Sequence, residues 1–159
     1  MNTKRMLLIA VACLLSSLVM GQKDLMERYA NIEGVTTVYI SKSMLQMMPN
    51  LDIHINMNTK DLAGRLSGIL ILTTERKNLI TNLRKDARAF YNNKAFEVLM
   101  TVKDEESLVN FYIRRKNDKR IAEMVMVVDE GDEFVLIQMT GDMTMEDIKK
   151  MTKGMSNQD

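Results

Sequence analysis

The chain has 159 residues, a length suited to one domain, and 27% of them are charged. Its 22 Lys and Arg residues almost balance 21 Asp and Glu residues, so the formal net charge is +1 at pH 7. Domains that bind nucleic acid through a broad surface are usually strongly basic. We therefore predict that nucleic acid is not a partner.

The first 21 residues are typical of an export signal. Lys4 and Arg5 precede an apolar run that ends at Met20, and this run of about 15 residues is shorter than the roughly 20 that span a membrane. We predict cleavage after a small residue at the end of this segment. Residues 1–21 are then a signal peptide, and residues 22–159 form a single exported domain in the periplasm.

A lipoprotein is the alternative maturation. Cys13 follows the small residue Ala12, and acylation of Cys13 would anchor the protein to the membrane. Ala10 replaces the usual leucine of a lipobox, however, and the apolar residues 14–20 would remain directly after the lipid. We favour cleavage of residues 1–21 as a signal peptide, which removes the only cysteine and leaves a mature domain without a disulfide.

The first quarter of the mature chain predicts a helix, a strand and a second helix. Residues 24–31 carry apolar residues at helical spacing, residues 35–40 are rich in strand-forming residues, and residues 44–48 form a short helix. Ser41 or Ser43 can cap this second helix, which ends near the single proline.

The middle of the chain predicts one longer strand and one long amphipathic helix. Residues 51–57 alternate apolar with polar residues, and residues 59–66 suit a short helix. A buried strand over 69–74 is then followed by apolar positions at helical spacing over 76–92. This helix should lie across one face of a sheet.

Four further strands with short polar connections follow, which favours an antiparallel meander. They are predicted at 96–102, 108–113, 121–128 and 134–139. In the first of them, Phe96, Val98, Met100 and Val102 should share one face. A capping-box pattern at Thr144 and Asp147 begins a terminal helix whose apolar stripe is Ile148, Met151 and Met155.

These elements predict an α+β fold. We expect a mostly antiparallel mixed sheet with a four-strand C-terminal meander and with helices packed chiefly on one face. No linker or repeat divides the mature chain.

The order of these elements resembles a known family. The matching features are a strand ending in Ser41-Lys42 before a helix with methionines, the strand 68–72 followed by Glu75, the segment 134–137, and the terminal segment 141–148. They are similar to the small exported Bacteroidetes proteins classed as domain of unknown function 4252. The resemblance implies an exported α+β domain and supplies no catalytic or cofactor residues. Some members are encoded near extracytoplasmic sigma-factor systems, which suggests envelope regulation.

Few residues suit catalysis. His54 is the only histidine, and it lies with Asp52 and Asn56 on the polar side of the alternating segment, as a surface residue would. Ser41, Ser43 and Lys42 place hydroxyls beside an amine, but their spacing is that of a helix start rather than of a nucleophile. We predict no catalytic residues, no cofactor and a non-enzymatic role, with an uncharacterised hydrolase as an alternative.

Methionine is unusually frequent, with 16 residues in the chain. Thioether sulfur binds cuprous ion, so a small-ligand or cuprous-ion protein is another alternative. Its candidate ligands fall into two groups: Met44, Met47 and Met48, and Met139, Met143 and Met145. Since most of them fall on apolar stripes, we favour core packing and predict no metal site.

Two predicted turns carry opposite charge. Asp129, Glu130, Asp132 and Glu133 surround Gly131 in one, and the other is basic. Charged turns are usually solvated, but a basic turn can also bind an acidic protein or an anionic membrane surface. We therefore name five binding candidates for an unidentified envelope protein or membrane surface: Arg114, Arg115, Lys116, Lys119 and Arg120. The sequence does not predict an oligomeric state.

Overall fold

The computed structural model describes residues 24–47 and 64–155. Several features of the sequence analysis lie outside the described part: the predicted signal peptide with Cys13, Met48, the alternating segment 51–57 with His54, most of the helix predicted at 59–66, and the side chain of Met155. The elements in chain order are α1 (Asp24–Ala30), β1 (Thr36–Ser41), α2 (Lys42–Met47), β2 (Leu66–Thr74), α3 (Lys77–Tyr91), β3 (Glu97–Lys103), β4 (Leu108–Asn117), β5 (Arg120–Asp129), β6 (Phe134–Met143) and α4 (Met145–Met155).

The six strands form one sheet in the order β1-β2-β6-β5-β4-β3. The α+β fold and the C-terminal meander are confirmed. Every strand pair is antiparallel, because α3 carries the chain to the far edge and the meander then returns until β6 pairs with β2. The sheet therefore has two free edges, β1 and β3, in the described part of the chain.

Helices α1 and α3 cover the first face of the sheet. The helical spacing of α3 buries Ile80, Leu83, Ala87 and Tyr91, as the periodicity predicts. They pack against sheet residues such as Leu136, and the ring of Tyr91 stacks on Tyr112 from β4 with centroids 5.2 Å apart. Most of the buried aromatic side chains therefore lie on the first face.

Helices α2 and α4, of 6 and 11 residues, cover part of the second face. Leu45 of α2 and Ile148 and Met151 of α4 are buried there with sheet residues such as Met124 and Met139. The helices are thus distributed over both faces, with the longest on the first. Among the described residues no helix is long and apolar enough to cross a membrane.

A bulge in β3 changes which side chains share a face. Val98 pairs with Tyr112 and Met100 pairs with Phe111. Strand β3 thus advances by two residues where β4 advances by one, so the register shifts by one residue between the two pairs. Tyr112 belongs to the first face and Phe111 to the second. The prediction that Val98 and Met100 share a face is wrong, because an extra residue in one strand reverses the alternation.

Polar contacts join the helices to the sheet. The capping box is confirmed: the Thr144 N–H donates to Asp147 Oδ2 at 2.8 Å, and the Asp147 N–H donates to Thr144 Oγ1 at 3.2 Å. Arg65 donates to both oxygens of the same carboxylate at 2.8 and 2.7 Å. Burial raises the pKa of Asp147, but the hydrogen bonds from Thr144 and Arg65 outweigh it, so its pKa lies below the ordinary value.

Gly141 lies where β6 crosses the start of β2. A Cβ atom at this position would lie 2.4 Å from the carbonyl oxygen of Arg65 and 2.8 Å from the Cα atom of Leu66. Only glycine allows the two backbones to approach this closely.

Candidate interaction surfaces

The five basic candidates lie around the β4–β5 turn, but most of them have acidic neighbours. Arg114 contacts Glu123 at 2.9 Å, and Arg115 contacts Glu97 at 2.9 Å. Lys116 and Arg120 both lie near the carboxylate of Asp142, at 3.8 and 3.9 Å. Lys119 forms no ion pair with another described residue. The structure brings the five residues to one end of the sheet and offsets most of their charge.

An open depression lies beside this turn, where the loop after α3 meets the ends of β3 and β4. Cations from Lys94, Arg114 and Arg115 line it together with the apolar side chains of Phe96 and Ile113. An anionic group could enter here only in competition with the carboxylates that already hold both arginines.

Behind the depression lies Glu123, which is only 5% exposed. It accepts hydrogen bonds from Arg114 Nε at 2.9 Å and from the side-chain amide of Gln138. Both of its oxygens are therefore occupied, which is the arrangement a buried carboxylate needs for stability. We interpret this group as structural.

Tyr91 carries the one buried side-chain polar atom without a hydrogen-bond partner in the described part of the chain, its hydroxyl oxygen. Burial raises the pKa of Tyr91 far above its ordinary value, with the nearby charge of Glu123 adding to the effect. The hydroxyl therefore keeps its proton.

The described methionines divide between core and surface. Met139 and Met143 are buried in the second-face core with Met124 and Met151, where thioethers fill irregular space. Met44, Met47 and Met145 are exposed. Among residues 24–47 and 64–155, no three His, Cys, Asp or Glu side chains are placed to hold a metal ion together.

The largest feature that the sequence did not predict is an apolar surface on the second face. One row of paired residues crosses all six strands, from Val38 at one edge to Met100 at the other. Its members are Val38, Ile71, Ile137, Met126, Phe111 and Met100. Val38 is 45% exposed and Met100 38%, and only Phe111 is buried.

A second row lies two residues further from α4. It contains four valines paired in register, Val135, Val128, Val109 and Val102. Val102 is 49% exposed, and the other three are partly buried. We call these two rows together the apolar strip. The buried cluster that α2 and α4 form with Met124 and Met139 also includes Phe111 of the strip, and four further strip residues are partly buried against it: Ile71, Val109, Met126 and Ile137. Val38, Met100 and Val102 remain exposed.

The strip ends at the acidic end of the sheet. The β3–β4 and β5–β6 turns and the residue after β2 all lie there, because Lys103 pairs with Leu108 and Phe134 pairs with both Thr74 and Asp129. Six exposed carboxylates at this end form no ion pair with another described residue: Glu75, Asp104, Glu105, Glu106, Glu130 and Asp132.

The acidic end and the basic β4–β5 turn lie at opposite ends of the strands. Strand β5 runs from Arg120 to Asp129, a distance of about 30 Å at roughly 3.3 Å per residue. Carboxylates without an ion pair to another described residue thus collect at one end of the strands, whereas most cations at the other end lie beside carboxylates. The opposite charges of the two turns were predicted, but their opposite placement required the strand order.

Comparison with known proteins gives one family match. The family model described as "Domain of unknown function (DUF4252)" matches residues 29–151. No curated protein matches the chain. The match covers every strand of the sheet and all of α2 and α3.

Proposed function

The chain belongs to the DUF4252 family, and from this premise we propose that it is an exported, non-enzymatic domain that works by binding another protein in the cell envelope. A part in envelope regulation is the broader role that this proposal includes. The apolar strip is the observation that carries it.

Exposed apolar residues are ordinary when they are scattered, but a continuous patch generally marks a binding surface. The strip has ten residues in two adjacent rows, in register across the strands. Water contact along such a surface is unfavourable, and a protein partner would remove it. The basic turn supports the proposal less, since most of its cations already lie beside carboxylates.

Strand β3 offers a matched pair of variants. Val98 is 53% exposed and Val102 is 49% exposed, and they lie on opposite faces of the same strand. Val102→Glu places a charge on the strip, whereas Val98→Glu makes the same change on the first face. Val128→Glu tests the centre of the strip.

The experiment compares these three variants with the unmodified mature domain in affinity capture from envelope extracts. We expect Val102→Glu and Val128→Glu to lose a specific captured protein that Val98→Glu retains. Equal capture by all four proteins would reject the strip as the binding surface. Intact mass of the protein recovered from the envelope tests export separately, and the full-length mass in the cytosol would contradict it.

A further inference from the structure

We propose that the partner presents a basic amphipathic helix, whose apolar side lies on the strip and whose cations lie against the acidic end. This inference rests on the proposed function and names the class of segment that is bound. It follows from the length of the strip, from its chemistry and from the charges that border it.

The dimensions fit one helix. Six strands about 4.8 Å apart span roughly 24 Å from the first axis to the last. A helix rises about 1.5 Å per residue, so about 16 residues cross this distance. The two rows lie two residues apart along the strands, which is about 7 Å, and this is within the width of one helix.

The chemistry of the strip favours apolar side chains from the partner. Its rows contain only Val, Ile, Met and Phe, and methionine adapts its shape to different neighbours. An amphipathic helix places apolar residues on one side at a spacing that meets such a surface.

Charge selects among possible occupants. The exposed carboxylates Glu105, Glu106, Glu130 and Asp132 border the strip at its acidic end. They attract Lys and Arg side chains and repel the headgroups of anionic lipids.

The probe is a synthetic peptide of about 18 residues built from Leu and Lys with helical amphipathic spacing. Two control peptides accompany it: a Leu/Glu peptide with the same apolar side, and a Leu/Lys peptide of identical composition in scrambled order. Binding to the mature domain is measured by calorimetry, and the contacted residues are identified from methyl resonances of the Val, Ile and Met side chains.

We expect the amphipathic Leu/Lys peptide to bind and both control peptides to fail. Resonances of Val128, Val135 and Ile137 should shift, while that of Val127 on the first face should not. Neutralising the border with Glu105→Gln, Glu106→Gln, Glu130→Gln and Asp132→Asn should weaken binding about tenfold. The charge control is the double variant Glu146→Gln and Asp118→Asn, which removes two carboxylates away from the acidic end. It should change the affinity for the peptide little.

Several results would overturn this inference. One is equal binding of the Leu/Glu peptide, and another is binding to phosphatidylglycerol vesicles that shifts the strip resonances. A third is strip methyl groups that already contact residues 48–63 and do not respond to the peptide. If the peptide fails while Val102→Glu and Val128→Glu still abolish capture, the proposed function stands and only the helical, basic partner is wrong.

Discussion

At the scale of single residues, Gly141 has the least freedom to change. A methyl group at this position meets the backbone of Arg65 and Leu66, and backbone atoms cannot move aside as a side chain can. We expect Gly141→Ala to lower the free energy of unfolding by about 2 kcal/mol, a typical cost of forcing extra volume into a packed site. Urea unfolding measures it.

The matched control is Gly64→Ala, since a Cβ atom there has nothing within 4 Å. This variant should unfold at nearly the same urea concentration as the unmodified protein. Equal stability of the two alanine variants would mean that β6 and the start of β2 are further apart than described.

Removal of the Tyr91 hydroxyl, in contrast to the Gly141 substitution, should not lower the free energy of unfolding. It is buried without a partner, so its removal eliminates an unfavourable desolvated group and leaves the stacked ring in place. Tyr91→Phe should leave stability unchanged or raise it by up to about 1 kcal/mol. Tyr29→Phe, which deletes a 2.9 Å hydrogen bond to Asp86, should lower it instead. Thermal unfolding of both variants provides the comparison.

At the scale of elements, the start of α4 depends on Thr144. Its side chain and backbone exchange hydrogen bonds with Asp147, and Arg65 ties that carboxylate to the start of β2. Thr144→Ala should lower the free energy of unfolding by about 1 kcal/mol, the usual loss when an N-cap side chain is removed. Thr144→Ser keeps the hydroxyl and should retain most of this stability. If the two substitutions are equally destabilising, the hydroxyl is not the stabilising group.

The contact between Arg84 of α3 and Asp129 of β5 predicts a pH dependence. Arg84 hydrogen-bonds both oxygens of Asp129 and lowers the pKa of Asp129 below its ordinary value of 3.8. The folded protein therefore binds this proton less readily than the unfolded chain does. The contribution of the pair to stability is complete above about pH 5, decreases as the unfolded chain begins to bind the proton, and is lost as the pH falls through the lower, folded pKa.

Asp129→Asn should consequently destabilise the protein by about 1 to 2 kcal/mol at pH 7. The difference in the free energy of unfolding between this variant and the unmodified protein should become smaller below about pH 4. Asp132→Asn, at an exposed residue of the same turn, is the control and should show no such narrowing. Urea unfolding at a series of pH values measures both, and a constant difference across the series would contradict the assignment.

Local sequence patterns predict the helices and strands well, but they predict poorly which residues of these elements contact one another. The spacing of Leu83, Ala87 and their neighbours predicts α3 because burial follows the helical period, and the Thr144 and Asp147 pattern predicts a cap that is local in sequence. The β3 bulge has no such signature, so Val98 and Met100 were placed on the same face. The contacts of Arg65 and Arg84 join residues far apart in the chain, where local periodicity carries no information.

At the scale of the whole molecule, the two faces of the sheet should respond differently to the same change. Val127 is buried on the first face, while its neighbour Val128 lies on the strip. Val127→Thr buries a hydroxyl and should cost about 1 to 3 kcal/mol. Val128→Thr should change stability by less than about 1 kcal/mol. Equal losses would mean that the strip is covered in the folded protein.

The strip itself could not be predicted from the sequence. In β5 and β6 apolar residues occupy both faces, which is the pattern of strands buried on both sides. Only the strand order places these residues in continuous rows, and only the packing of α2 and α4 decides which of them stay exposed on the second face. The sequence predicts the basic turn as a cluster of cations, but the neighbours that offset its charge, Glu97, Glu123 and Asp142, lie in β3, β5 and β6 and required the strand pairing.

The carboxylates collected at one end of the strands also affect how the domain meets a charged surface. A negatively charged surface repels this acidic end over a range of about 8 to 10 Å at physiological salt. Approach with the acidic end directed away from such a surface is therefore favoured, and it leaves the valine rows accessible from the aqueous side.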